Sequence, residues 1–173
     1  LATMRDGLRR RGHQVFVAAP AYELATSDEN LVRRLPAVPC PGYPQVRLSW
    51  PWLRGLDRDF DRFEPDLVHV VTEGPLGLFG RGYARRRNLP LVSSFHTDFP
   101  RYAERYLGRA AVGPTRAWLA RFHKVARMTQ TPSDATRAEL LVMGIQQATV
   151  WGRGVDAIGF HPSRRSDARR AAM

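Results

Sequence analysis

The sequence has 173 residues, of which 43% are hydrophobic and 25% are charged, a composition typical of one globular domain that buries a core without disulfides. A single cysteine, Cys40, excludes an internal disulfide and favours a reducing compartment, and no apolar run reaches the length that a transmembrane helix needs. The formal net charge of +11 at pH 7 predicts attraction to nucleic acid, a phosphorylated small molecule or an acidic membrane surface.

Hydrophobic periodicity in the first third of the sequence predicts short helices and strands. Leu1, Met4 and Leu8 share one face of a helical pattern that ends at Gly12. Residues 21–44 are rich in proline, have no strong period and are predicted as a loop. The other elements predicted here are a strand over 14–20, a strand over 45–49 and a surface helix over 50–62.

From residue 65 onward, predicted strands alternate with predicted helices. This alternation is typical of parallel βαβ units, so we predict an α/β fold with a doubly wound parallel sheet rather than a barrel or a sandwich. The predicted strands cover 67–71, 91–95, 128–132 and 148–151, and the predicted helices cover 74–88, 100–107, 115–127 and 133–144.

Polar groups follow three of these strands at the point where each strand ends. Any one group is explained equally well by the solvation of a loop. Ligands of open parallel sheets, however, bind outside the carboxyl ends of the strands, so three groups at one edge predict a binding cleft. The groups are Thr72-Glu73-Gly74, His96-Thr97-Asp98 and Ser133-Asp134.

Metal and nucleophile chemistry are weakly represented among these residues. His96 and Asp98 are metal-ligand types, but one His-x-Asp pair without further clustered ligands falls short of a metal site, so none is predicted. Ser93 and Ser94 lie inside a predicted strand, and the sequence has no G-x-S-x-G elbow.

Glycines and histidines elsewhere have structural interpretations. The four glycines between residues 74 and 82 do not have the G-x-G-x-x-G spacing, so we predict that they allow close packing of a helix on the sheet. His69 lies within an apolar strand and is predicted to be a hydrogen-bonded core histidine. His13 is predicted to lie in the turn before the first strand.

The predicted helix over 115–127 leaves two interpretations open. Its aromatic side is predicted to face the core, which is the ordinary arrangement. The cationic side alternatively lies on anionic lipid. The apolar stripe is Trp118, Phe122 and Val125, and the cations are Arg116, Arg121, Lys124 and Arg127.

Three segments in a fixed order carry a resemblance to a known family. They are TEGPLG at 72–77, SSFHTDFP at 93–100, and WGRGVD at 151–156 followed by FHP at 160–162. With them, nearly the whole chain resembles the N-terminal half of retaining glycosyltransferases of family 4. The branch it is most similar to includes GDP-mannose-dependent mannosyltransferases and sulfoquinovosyl transferases. The implied architecture is GT-B, in which two Rossmann-like halves face each other across a cleft.

The resemblance implies an active-site role for His96. In the family, the histidine of the His-Thr motif faces the cleft and contacts the transferred sugar. The leaving diphosphate oxygen accepts the acceptor's proton, so the reaction needs no protein metal, no cofactor and no protein nucleophile. The implied donor is GDP-mannose, a substrate, and the implied substrate-binding residues are Glu73, Gly74, Thr97, Asp98, Tyr102 and Arg153.

The resemblance also implies a division of the chain. Residues 1–152 correspond to the acceptor-side domain without its first strand, and residues 153–173 to the hinge and the start of the donor-binding domain. The first strand and its glycine-rich loop are expected before Leu1, and the donor-binding half after Arg165. The chain alone is therefore expected to transfer no sugar. The implied acceptor is a lipid or glycan, and the expected location is cytoplasmic, peripheral at the inner membrane face.

Two other functions stay open at this point. One is a glycosyltransferase with a soluble acceptor. The other is a non-enzymatic, basic nucleic-acid-binding domain, which would need aromatic side chains exposed on a basic face. Most aromatic residues here have core-facing spacing, so no nucleic acid partner is expected.

Overall fold

The structure, a computed structural model, describes residues 2–22, 31–40, 43–51, 55–96, 99–152, 154, 157 and 159–171. The first part of the chain forms α1 (Ala2–Arg10), β1 (Val17–Pro20), β2 (Val32–Leu35), β3 (Ala37–Cys40), β4 (Tyr43–Ser49) and α2 (Leu56–Phe63). The remainder forms β5 (Val68–Val70), α3 (Pro75–Arg86), β6 (Leu91–Ser94), α4 (Phe99–Leu107), α5 (Val112–His123), β7 (Met128–Thr131), α6 (Asp134–Val142), β8 (Ala148–Val150) and α7 (Asp167–Ala171).

A parallel sheet in the order β5–β6–β7–β8 forms the centre of the fold. One row of paired residues crosses it, from Val70 to Ser93, Thr129 and Ala148. Because all three pairs of neighbouring strands are parallel, the four carboxyl ends lie at one edge of the sheet. The predicted parallel α/β fold, Rossmann-like and consistent with one half of a GT-B architecture, is confirmed.

Two smaller sheets precede the central one. Strands β1 and β2 pair in parallel, and β3 and β4 form an antiparallel pair. The predicted loop over 21–44 is therefore wrong for residues 32–35, 37–40 and 43–44. Two strands of four residues are too short to show a period, and Pro36 and Pro39 gave the segment the composition of a loop. Pro39 is tolerated because it lies in a two-stranded sheet, where each strand has an open edge.

The core divides into three apolar clusters that join these layers. Val70, Leu91 and Phe122 belong to the cluster between the sheet and the helices α3 and α5. A second cluster, under α5 and α6, is Phe95, Leu119, Leu140, Ile145 and Ala148. The third joins the β1–β2 sheet to α2 and α3 through Leu35, Leu56 and Phe79.

Helix α5 buries a different stripe from the one predicted. Trp118 and Val125 are 40% and 55% exposed, so their prediction as core residues is wrong, whereas Phe122 is 1% exposed as predicted. The predicted stripe and the buried stripe share Phe122 and have similar helical spacing. Periodicity could not distinguish them, and the prediction chose the one with the larger apolar side chains. The buried residues are Leu119, Phe122 and His123 on α5, and Ala126 just beyond its end.

Helix α3 lies unusually close to the sheet. A Cβ at Gly77 would overlap the backbone carbonyl of Thr72, and a Cβ at Gly80 would lie 3.0 Å from Val70 Cγ1. The predicted packing role of the glycines is confirmed at these two positions. Gly77 thereby brings the start of α3 directly against the end of β5.

Candidate active site

The carboxyl edge of the central sheet carries the predicted site residues that the structure describes. His96 lies two residues beyond β6 and is half-buried. Gly74 is the residue before α3, and Tyr102 lies on α4. The other predicted residues, Thr97, Asp98 and Arg153, lie outside the described residues. The predicted roles of all of them stay predictions.

Glu73 is buried, with 3% of its surface exposed. Its Oε1 lies 3.0 Å from Nε2 of His123, a histidine on α5 that is completely buried. The carboxylate therefore points into the protein here, and a direct contact with substrate stays a prediction. What Glu73 does in this arrangement is fix the turn that leads into α3.

A chain of hydrogen bonds continues from His123 into the sheet. Nδ1 of His123 lies 2.9 Å from Ser93 Oγ, and Ser93 Oγ lies 3.0 Å from Thr129 Oγ1. Ser93 and Thr129 are paired across β6 and β7 and are at most 1% exposed. Sequence reasoning did not identify this chain, and the available signal was a polar histidine at the core-facing spacing from Leu119.

The opposite face of the sheet carries a second histidine. Nε2 of His69 lies 2.7 Å from Ser94 Oγ, and Ser94 donates to Gln130 Oε1 at 3.3 Å. Burial and, secondarily, the charge of His96 lower the pKa of His69 from 6.5 to about 4. His69 is thus neutral at physiological pH. Its predicted hydrogen bond is confirmed, although its burial is only partial.

The third polar group at this edge has a structural role. Ser133 is the N-cap of α6, and its Oγ accepts a hydrogen bond from the backbone N–H of Thr136 at 3.2 Å. The helix predicted over 133–144 thus begins at this cap. The candidate site therefore consists of the groups after β5 and β6.

Helix α4 begins three residues after His96 and presents aromatic residues to solvent. Tyr102 and Tyr106 are 49% and 63% exposed, and their rings stack at 6.3 Å with an interplanar angle of 8°. Trp118 on α5 is exposed as well, so these three aromatic side chains lie at the surface. On α5 the cations Arg116 and Arg121 are exposed, as are Lys124 and Arg127 just beyond it.

The chemistry available at the edge is hydrogen bonding by imidazole and by backbone groups. An imidazole offers two ring nitrogens for hydrogen bonds, which suits the hydroxyl groups of a sugar. In the part of the chain that the structure describes, no three His, Cys, Asp or Glu side chains come together as a metal site. No helix among the same residues is long and apolar enough to cross a membrane.

The profile of one protein family, described as Glycosyltransferase Family 4, matches residues 1–157. The chain belongs to glycosyltransferase family 4. This confirms the resemblance inferred from the TEGPLG, SSFHTDFP and WGRGVD segments. The parallel sheet and its polar edge are thus those of a family 4 N-terminal half.

The chain is similar to family 4 proteins that are named for several different activities. A GDP-mannose-dependent alpha-mannosyltransferase of Mycobacterium tuberculosis is 34% identical over 171 residues, covering 95% of this chain and 45% of the relative. A sulfoquinovosyl transferase of Arabidopsis thaliana is 32% identical over 138 residues, 78% of this chain and 27% of the relative. An alpha-monoglucosyldiacylglycerol synthase of Streptococcus pneumoniae is 27% identical over 112 residues, 59% of this chain and 23% of the relative. The chain therefore spans less than half the length of these relatives.

Proposed function

We propose that this chain is the acceptor-side half of a retaining hexosyltransferase that transfers mannose from GDP-mannose to a lipid or glycan. The observation that carries the proposal is the 34% identity to a GDP-mannose-dependent alpha-mannosyltransferase over 95% of this chain. A lipid acceptor is supported by the similarity to a synthase whose name specifies a diacylglycerol product. Retention follows if an alpha product forms from the alpha-linked donor.

In the proposed reaction the acceptor oxygen forms a bond to C1 of mannose as the bond from C1 to the diphosphate oxygen breaks. The acceptor's proton moves to that leaving oxygen on the same face of the sugar. No group of the protein is consumed or modified. The contribution of the protein is to position the two substrates and to stabilise the developing charge.

His96 is the residue of this chain that we propose contacts the transferred mannose. It lies at the carboxyl edge of the central sheet, where ligands of parallel α/β sheets bind. Gly74 and Tyr102 are proposed to contact the acceptor side, and Thr97, Asp98 and Arg153 to complete the cleft. Neither a cofactor nor a metal ion is part of this proposal.

The proposal includes a limit on what this chain does alone. Because the chain covers 45% of the mannosyltransferase relative, we propose that the donor is bound mainly by the remainder of the protein. The isolated 173-residue chain should therefore transfer no mannose. Turnover by the purified chain with GDP-mannose would contradict this division of the site.

We also propose peripheral binding to anionic membranes. The net charge of +11 and the exposed cations of the α5 region support it, and the exposed Trp118 supplies an amphipathic side chain of the kind found at membrane interfaces. A lipid acceptor would be reached from this position without a transmembrane segment. A soluble acceptor is the competing possibility, and a transfer assay that offers both kinds of acceptor separates the two.

The test is a transfer assay with the full-length protein. Labelled GDP-mannose, UDP-glucose and UDP-sulfoquinovose are each supplied with diacylglycerol-containing vesicles or with soluble mannose oligosaccharides. We expect label from GDP-mannose in the vesicle fraction, with an alpha linkage by NMR. Label only in soluble oligosaccharide would overturn the lipid acceptor, and transfer only from a UDP-sugar would overturn the donor.

A further inference from the structure

His123 contacts both of the turns that form the candidate site. Its Nε2 lies 3.0 Å from the carboxylate of Glu73, which precedes Gly74. Its ring also packs edge-to-face against Phe95, with centroids 5.7 Å apart, and Phe95 directly precedes His96. One buried side chain thus connects the turn after β5 with the turn after β6.

The position of His123 is itself fixed from several directions. It is the last residue of α5, and its backbone carbonyl accepts hydrogen bonds from Gln147 Nε2 at 2.8 Å and from the Ala126 N–H at 2.9 Å. Its ring is completely buried and is held from the sheet by Ser93 at 2.9 Å. A side chain held in this way has little freedom to follow a moving loop.

The hydrogen bonds around His123 form one continuous buried network. In the tautomer whose Nε2 carries the proton, the imidazole donates to the Glu73 carboxylate and its Nδ1 accepts from the Ser93 hydroxyl. In that arrangement Ser93 accepts from Thr129. A buried hydrogen-bond network of this kind rigidifies its surroundings.

We propose that His123 is a positioning residue that sets the spacing between the Glu73–Gly74 turn and the Phe95–His96 turn. The inference rests on the proposed function and adds a residue outside the cleft on which the placement of His96 depends. A catalytic group is useful only within a narrow range of positions, so a supporting side chain affects turnover without touching the substrate.

Two substitutions separate the contacts of His123. In His123→Gln the amide nitrogen replaces Nε2 and can still donate to Glu73, whereas in His123→Asn the shorter amide reaches only Ser93. Tyr83→Phe is the control, because it removes a hydrogen bond of 2.9 Å to Asp61 from a buried tyrosine that lies on α3. Each variant is made in the full-length protein, and the turnover number and amide hydrogen exchange are measured below its melting transition.

For His123→Asn we expect the turnover number to fall at least about tenfold, through misplacement of the reacting groups. Amide exchange should become faster at both turns and stay unchanged in β7 and β8. In His123→Gln, slow amide exchange should return at Glu73 and Gly74 only, and the turnover number should lie between those of His123→Asn and the unmodified protein. The control should keep its turnover number and its exchange at both turns.

Other outcomes overturn the inference. If His123→Asn is less stable but retains its turnover number per folded molecule, His123 is structural only. Uniformly faster amide exchange throughout the sheet of His123→Asn would likewise show that His123 is structural only. If the unmodified protein transfers no sugar, the proposed function fails, while the pattern of exchange still tests the positioning. If His123→Asn does not fold, Glu73→Gln and Glu73→Leu are compared instead. The carbonyl of Gln can still accept a hydrogen bond from His123, whereas Leu cannot.

Discussion

Ser93 and Ser94 are consecutive residues of β6, and each forms a hydrogen bond with a histidine on a different face of the sheet. Ser93 lies 2.9 Å from His123, and Ser94 lies 2.7 Å from His69. Because side chains alternate along a strand, a single dipeptide supports both faces beneath the candidate site. Strand β6, which leads to His96, is therefore held by polar contacts as well as by packing.

Gly77→Ala should destabilise the protein. The added Cβ would overlap the Thr72 carbonyl, so α3 or the end of β5 must shift, at a cost of roughly 1–3 kcal/mol. Gly7→Ala is the matched control, because Gly7 lies inside α1 and its new methyl group would meet only the Arg10 side chain, at an ordinary contact distance of 3.9 Å, and alanine favours a helix interior by about 0.5–1 kcal/mol. Urea unfolding of both variants measures the difference. Equal effects at the two glycines would contradict the close approach of α3.

The stability of the protein should fall as the pH is lowered from about 6.5 to about 4, in part because of His69. Burial holds its pKa at about 4 in the folded state, against 6.5 for the unfolded chain, so the unfolded state binds the extra proton in this window. The corresponding loss is at most about 3 kcal/mol. In His69→Gln, which can still donate to Ser94, this part of the pH dependence should disappear. If the free energy of unfolding changes equally with pH for the two proteins between about pH 6.5 and pH 4, the protonation of His69 is not coupled to folding.

Binding to anionic vesicles should weaken with salt. At low ionic strength we expect the protein to co-sediment with vesicles that contain anionic lipid, and to be released at roughly 0.5 M salt, where charge interactions are screened within a few ångströms. Arg116→Glu with Arg121→Glu should weaken binding more than Arg10→Glu with Arg11→Glu, which changes the net charge equally on exposed residues elsewhere.

Two results would contradict this account of the membrane surface. Equal binding to neutral and anionic vesicles would remove the electrostatic explanation. A salt-dependent shift on single-stranded nucleic acid, without vesicle binding, would favour the nucleic-acid-binding alternative, for which the stacked Tyr102 and Tyr106 are then the residues to substitute.

Local sequence signals were sufficient for the elements that position the site. The alternation of apolar strands with helices predicted the parallel sheet, and the abrupt change from apolar to polar residues at His96 marked its carboxyl edge. Short-range patterns describe such features because strand ends and helix caps depend on neighbouring residues. The cap formed by Ser133 is an example.

The network around His123 depends on contacts between distant parts of the chain. Its partners Ser93 and Glu73 are 30 and 50 residues away in the sequence, and no periodicity specifies which polar residues will meet in a core. The same limit applies to the helix predicted over 115–127, where Trp118 and Val125 were predicted in the core in place of His123 and Ala126. In both cases tertiary packing chose among residues that local spacing could not distinguish.

The most direct test of the account is His96→Ala in the full-length protein, with turnover and melting temperature measured on the same preparation. We expect turnover to fall at least about tenfold, since losing one positioned hydrogen bond near the reacting sugar is worth about 1.5–3 kcal/mol if it is charge-assisted. The melting temperature should change little, as in the control His13→Ala, whose histidine is exposed between α1 and β1. A His96→Ala protein that melts much lower yet keeps its turnover per folded molecule would contradict the assignment of the active site.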